Sequence, residues 1–179
     1  MNTSLAPLRA EPAEATRRRR TVAVDAAIVS STAAALAHLV AVPSHFTWWP
    51  ASGIFFVVLG VGQLAYSVLL WRGALATRVL LAGLWGTVAV ILLYVASRTV
   101  GLPTTPPVPF HGGRWVAGRS MIPDGAKYVG PLDVFTLIAE LLLVVTLLTM
   151  LPNRSKVRTV NRLMWVGLAL WGASIVAML

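Results

Sequence analysis

His38, His45, Asp133 and Glu140 are the side chains of this sequence whose types and surroundings allow chemistry. Neutral imidazole ligates zinc, copper, nickel or iron, and it titrates near physiological pH. Carboxylates add oxygen donors, and a mixed nitrogen and oxygen set suits zinc or copper(II) better than copper(I). Glu140 stands out because it lies within Leu137-Ile138-Ala139-Glu140-Leu141-Leu142-Leu143. A charge in hydrocarbon costs at least ~2.5 to 3.5 kcal/mol on insertion scales, so such a residue must turn toward protein and find a partner there. A metal held by His38, His45, Asp133 and Glu140 is one expected use of the set. Exchange of protons or solutes at an outward-facing Glu140, helped by a histidine, is another, although no further acid continues a relay from Glu140 to Asp25.

A purely structural use competes with both. Intramembrane charges usually pair, and Arg98 is the expected partner for Asp133 or Glu140. Asp133 and Glu140, seven positions apart, fall nearly on one helix face, about 10 Å apart along the axis. Asp133 also suits the first turn of a helix, where the dipole favours an acid. Gln63 can add a hydrogen bond, as can Tyr66 or Tyr94, giving a polar cluster of Arg98, Asp133, Glu140 and Gln63. Neither H-x-x-x-H nor H-x-x-E-H spacing occurs, and G-x-x-x-x-G-K-[ST], G-x-S-x-G and H-E-x-x-H are also absent. Catalysis by this chain is therefore not expected, and zinc or copper is the only cofactor class the residues suggest.

The elements that must position these groups are apolar runs. Of 179 residues 57% are hydrophobic and 12% charged, and mean hydropathy is +0.76, too apolar for an ordinary soluble domain. A span of about 20 residues crosses a hydrocarbon core of about 30 Å. The runs predict five transmembrane helices at 22–42, 51–71, 79–97, 132–151 and 163–179, an all-α integral membrane bundle with the lipid bilayer as its first partner. His45 is expected in a short loop, 43–50, between the first two. Arg9, Arg17, Arg18, Arg19, Arg20, Arg72, Arg78, Arg154, Lys156, Arg158 and Arg162 precede or follow spans on one side, eleven of the fifteen basic residues. The positive-inside rule then predicts a multi-pass plasma-membrane protein with a cytoplasmic N-terminus and an extracytoplasmic C-terminus. The net charge of +9 is explained by these loops, and no nucleic-acid partner is expected.

Residues 1–20, basic and without apolar period, predict a mobile cytoplasmic tail. Asp25 and the length of the first run argue for a retained span over a cleaved signal. Without cysteine, disulfides and thiolate metal sites are excluded. Phe46, Trp48, Trp49, Trp71 and Trp165 suit the membrane interfaces. Ser30, Ser31, Ala34, Ala35, Gly60, Gly83 and Gly86 permit close helix contacts. The connection 98–131 is rich in proline and glycine, which opposes regular helix. Phe110, Trp115, Val116, Met121, Ile122 and Tyr128 are expected to anchor it as a folded extracytoplasmic lid between the third and fourth spans.

His38, Pro43-Ser44-His45-Phe46-Thr47-Trp48-Trp49, Gly53-Ile54-Phe55-Phe56, Gln63, Ser97-Arg98-Thr99-Val100-Gly101-Leu102-Pro103, Val129-Gly130-Pro131-Leu132-Asp133 and Glu140 together resemble a group of small multi-spanning membrane proteins of actinobacterial type. The likeness covers most of 38–145 and implies a shared bundle with a shared outward polar cluster. Where acids often flank the equivalent of His45 and precede the Val-Gly run, this chain has Ser44, Thr47 and Lys127. That departure removes carboxylate ligands from a metal site while leaving packing intact. The resulting expectation is a non-catalytic accessory or interaction subunit, meeting a membrane-protein partner or further copies of itself.

Overall fold

The structure, a computed structural model, describes residues 11–48, 50–99, 108–110, 114–116 and 129–176, with side chains described over 22–47, 50–97 and 129–172. Helix α1 spans Glu11–Trp48, α2 Pro50–Trp71, α3 Thr77–Thr99, α4 Pro131–Met150 and α5 Asn153–Val176. Strands β1 (Val108–Phe110) and β2 (Arg114–Val116) pair antiparallel, with Pro109 opposite Trp115. With 98–99 at the end of α3 and 129–131 leading into α4, they are the described part of the 98–131 connection, and a lid made of the whole connection lies outside the described residues.

Among the described residues, four helices are long and apolar enough to cross a membrane, through Val22–Thr47, Pro50–Trp71, Thr77–Ser97 and Pro131–Met150. Apolar side chains such as Ile54, Val58, Val61, Phe135, Ile138, Leu142 and Val145 are exposed on their outer faces. Lipid is the solvent that such faces fit. The fifth helix differs from its expected form. It begins at Asn153, so the segment expected as a basic loop is helical, and Arg154, Lys156, Arg158 and Arg162 occupy its first half. Arginine and lysine are good helix formers, and the backbone N–H of Lys156 reaches Pro152 O at 2.8 Å to close its first turn.

α1 also exceeds its expected length at both ends. Residues 11–20, expected as tail, are helical, and the helix continues through Pro43. Its 38 residues extend about 57 Å at ~1.5 Å per residue, well beyond the hydrocarbon thickness. Proline removes one helical hydrogen bond, which ordinarily ends a helix. Here Ser44 Oγ and His45 Nδ1 each donate to Ala41 O at 2.8 Å, and Thr47 Oγ1 donates to Ser44 O at 2.8 Å. These side-chain bonds hold the turns around the proline, as hydroxyls do in membrane helices. His45 consequently sits in the last turn of α1, not in a loop.

The turns between helices follow from local chemistry. α2 ends in a Schellman motif: Gly73 N–H reaches Leu70 O at 2.9 Å and Ala74 N–H reaches Leu69 O at 3.0 Å. Gly73 adopts φ 79°, which a side chain opposes. At the start of α4, Pro131 takes the first helical position and Gly130 N–H donates to Asp133 Oδ2 at 3.0 Å. At its end, Lys156 Nζ donates to Thr149 O at 3.2 Å.

α1 packs against α2 and α4, and α4 packs in turn against α3 and α5. Ala27, Leu70, Leu80, Leu84, Val88, Leu143, Val144, Leu147 and Leu151 form the apolar core. Small residues bring α1 and α2 together: Ser31, Ala34 and Ala35 are wholly buried. A Cβ on Gly60 would stand 2.7 Å from Leu39 Cγ and 3.1 Å from Ala35 O. Gly83 accommodates the ring of Tyr66, whose hydroxyl donates to Val79 O at 3.4 Å. Gly86 departs from expectation, because nothing lies within 4 Å of the place a Cβ would occupy.

Candidate functional site

Polar residues in the spans collect on the buried stripes of α1, α2 and α4. Ser31, Ala35 and His38 share one face of α1; Phe56, Gly60, Gln63 and Ser67 share one face of α2; Glu140, Leu143, Val144 and Leu147 share one face of α4, each set at helical spacing. The same periodicity that buries alanine and leucine therefore drives His38, Gln63 and Glu140 inward. Their exposures are 6%, 8% and 2%, too little for water to solvate a charge.

These three meet. His38 Nε2–H donates to Glu140 Oε1 at 3.1 Å, and Gln63 Nε2–H donates to the same oxygen at 3.4 Å. A ladder of hydroxyls supports Gln63 from beside it: Ser31 Oγ donates to Gln63 O at 2.9 Å, Ser67 Oγ to the same carbonyl at 3.1 Å, and Thr32 Oγ1 to Ser67 Oγ at 3.1 Å. Cross-helix bonds of this kind contribute about 0.6 kcal/mol each in lipid, and up to about 1.7. The His38 and Glu140 pair differs in kind: removing one partner leaves the other buried and uncompensated, at about 3–5 kcal/mol, which is the cost of breaking the pair and not its net contribution. One buried acceptor is left over: among the described residues, Gln63 Oε1 has no hydrogen-bond partner.

His45 belongs to a separate arrangement. The ring of Phe56 lies between the two histidines, its centroid 3.9 Å from His45 at 35° and 5.6 Å from His38 at 55°. The His45 Nδ1–H bond to Ala41 O fixes the tautomer that leaves Nε2 as an acceptor. Ser52 Oγ donates to His45 O at 3.0 Å, fastening the start of α2 to the end of α1. Asp133 is engaged at the α4 N-terminus with Gly130 N–H, the role its position suggests.

The four expected metal ligands are thus divided among three places. Among the described residues no group of three or more histidines or acids is gathered in a way that could hold a metal. His38 and Glu140 alone come together, and the third member is an amide. Arg98 belongs to α3, but its side chain and its pairing with an acid lie outside the described residues. The partners observed for Glu140 are His38 and Gln63. Chemically, the cluster is a carboxyl, an imidazole and an amide in an apolar surround, suited to holding a proton and to joining helices.

Sequence reasoning missed Phe56, the ladder from Thr32 through Ser67, and the direct contact of His38 with Glu140. A signal for the first two was present: Phe56, Gly60, Gln63 and Ser67 repeat at spacings of three and four. Comparison with protein-family models, with curated proteins and with solved structures finds no match for this chain.

Proposed function

We propose that this chain is a non-catalytic integral membrane protein that serves as an accessory or interaction subunit of a larger membrane assembly. In this reading the apolar part of α5, from residue 163 on, belongs to a fifth span, and the positive-inside rule applied to the basic segments at Arg17–Arg20, Arg72–Arg78 and Arg154–Arg162 supports a cytoplasmic N-terminus and an extracytoplasmic C-terminus. The polar cluster then locks α1, α2 and α4 into one rigid unit. Neither an activated nucleophile nor an assembled metal set accompanies it among the described residues.

The observation that supports this reading is the state of α5. It meets the bundle at α4, and Met164, Trp165, Leu168, Leu170 and Trp171 are exposed in its apolar part. That apolar surface is available to another helix, and a transmembrane helix of a partner protein is the occupant we propose.

The test is photo-crosslinking from a reactive residue placed at Leu168 in native membranes, with exposed Phe55 on α2 as a comparison site. A discrete adduct containing a second polypeptide from position 168 is expected. Absence of any adduct, together with a clean monomer after gentle solubilisation, rejects the reading.

A further inference from the structure

We infer that the His38, Gln63 and Glu140 cluster is a proton-binding site, in which Glu140 in its acid form closes a two-bond ring with the Gln63 amide. Half of that ring is already present. Gln63 Nε2–H donates to Glu140 Oε1 at 3.4 Å, while Gln63 Oε1, the other end of the same amide, is buried without a partner. An amide and a carboxylic acid are complementary: the amide donates from nitrogen and accepts at oxygen, and the acid accepts at one oxygen and donates from the other. A carboxylate is an acceptor only, so it serves the nitrogen and leaves the amide oxygen facing like charge.

An orphaned buried acceptor has lost its hydration with nothing in exchange. A proton from solvent water added to Glu140 Oε2 supplies the missing donor. The O–H then bonds to Gln63 Oε1, the existing N–H bond to Glu140 Oε1 shortens, and His38 Nε2–H still reaches Oε1. No bond other than the O–H forms or breaks, and hydroxide or a base conjugate remains in the solvent.

The surroundings are compatible with this. On α1, His45 lies beyond Phe56 with its Nδ1–H bonded to Ala41 O, and Asp25 is several turns away toward the N-terminus. α2 contains no acid and no base, and its Tyr66 donates to Val79 O. On α4, Asp133 is two turns off, bonded to Gly130 N–H. α3, packed against α4, carries Arg78 near its start, Tyr94 near its end, and Arg98, whose side chain lies outside the described residues.

The sequence makes the test unusually direct. Gln63 is the only glutamine, and Glu140 is the only glutamate besides Glu11 and Glu14. The full chain with Glu11→Ala and Glu14→Ala, carbon-13 labelled at the glutamate carboxyl, is placed in lipid nanodiscs and followed by infrared spectroscopy as pH is lowered. A labelled carboxylic-acid band that grows on acidification is expected, at the frequency of a hydrogen-bonded acid, and Gln63→Leu moves it to the higher frequency of an unbonded one. In a second measurement that needs no change at the site, the labelled Gln63 amide carbonyl band of the otherwise native chain shifts to lower frequency over the same pH range. No labelled acid band while circular dichroism still reports full helix content, or a band and an amide carbonyl that ignore each other, overturns the proposal.

Discussion

His38 Nε2 and Glu140 Oε1 stand 3.1 Å apart across 102 positions of sequence, both nearly inaccessible to solvent. This single contact ties the C-terminal third of α1 to the middle of α4. It turns two separately costly groups into one unit with a shared proton and no requirement for net charge. Gln63 brings α2 to the same oxygen, so three helices converge on one atom.

Removing one member of this unit should be worse than removing two. His38→Leu leaves the carboxyl of Glu140 buried with only a long amide bond, and Glu140→Leu leaves the imidazole without an acceptor. Each is expected to destabilise the bundle by about 3–5 kcal/mol, whereas the double variant His38→Leu/Glu140→Leu should lie within about 1 kcal/mol of the native chain. Unfolding in mixed micelles measures all three, and additive single-variant losses in the double variant would reject the pairing as a source of stability.

Metal binding separates His45 from the buried pair. Because Phe56 stands between the histidines and Asp133 is spent at a helix start, purified native protein, His38→Ala and His45→Ala are all expected to hold the same trace amount of zinc and copper. Elemental analysis after desalting checks this. One metal per chain, lost in both variants, would restore the four-ligand site.

Much of the architecture is written in the apolar runs, because lipid demands about 20 apolar residues per crossing and leaves little freedom elsewhere. Glu140 was legible as inward-facing for the same reason. Its partner was not: Arg98 was the obvious cation by charge, but the three-dimensional phase of α1 against α4 decides which side chain arrives, and periodicity on one helix does not report the phase of another. Pro43 misled because the turns around it are braced by bonds from Ser44 and His45 to Ala41 O and from Thr47 to Ser44 O, although none of these reaches Leu39 O, the carbonyl its missing N–H would have served. The start of α5 was obscured because arginine and lysine mark a basic connection as readily as a soluble helical turn.

The turn after α2 offers a backbone test. Gly73 has φ 79° and open space around its Cβ position, so any loss on substitution arises from conformation and not from a clash. Gly73→Ala is expected to cost about 1 kcal/mol, and Gly73→Asn less, since asparagine tolerates the left-handed region. Thermal melting of the two variants side by side reads the difference. Equal stability of Gly73→Ala and the native chain would argue against the Schellman geometry.

The approach of α1 to α2 sets the position of Gln63, and Gly60 is what allows it. A Cβ there meets Leu39 and the backbone oxygen of Ala35; a leucine side chain can rotate, but a helix carbonyl cannot yield without moving its helix. Gly62, two residues on, has nothing within 4 Å and serves as the matched control for helix propensity. Gly60→Ala is therefore expected to destabilise by about 1–3 kcal/mol through overpacking, while Gly62→Ala is neutral or stabilising by up to about 1 kcal/mol. The same separation should carry through to the polar cluster, because Ser31 on α1 must reach Gln63 O on α2 at 2.9 Å. In Gly60→Ala the widened gap should raise amide hydrogen exchange in α2 around Gln63, and in Gly62→Ala it should not. Equal stability and equal exchange in the two variants would mean that the helices are held apart by something other than this contact.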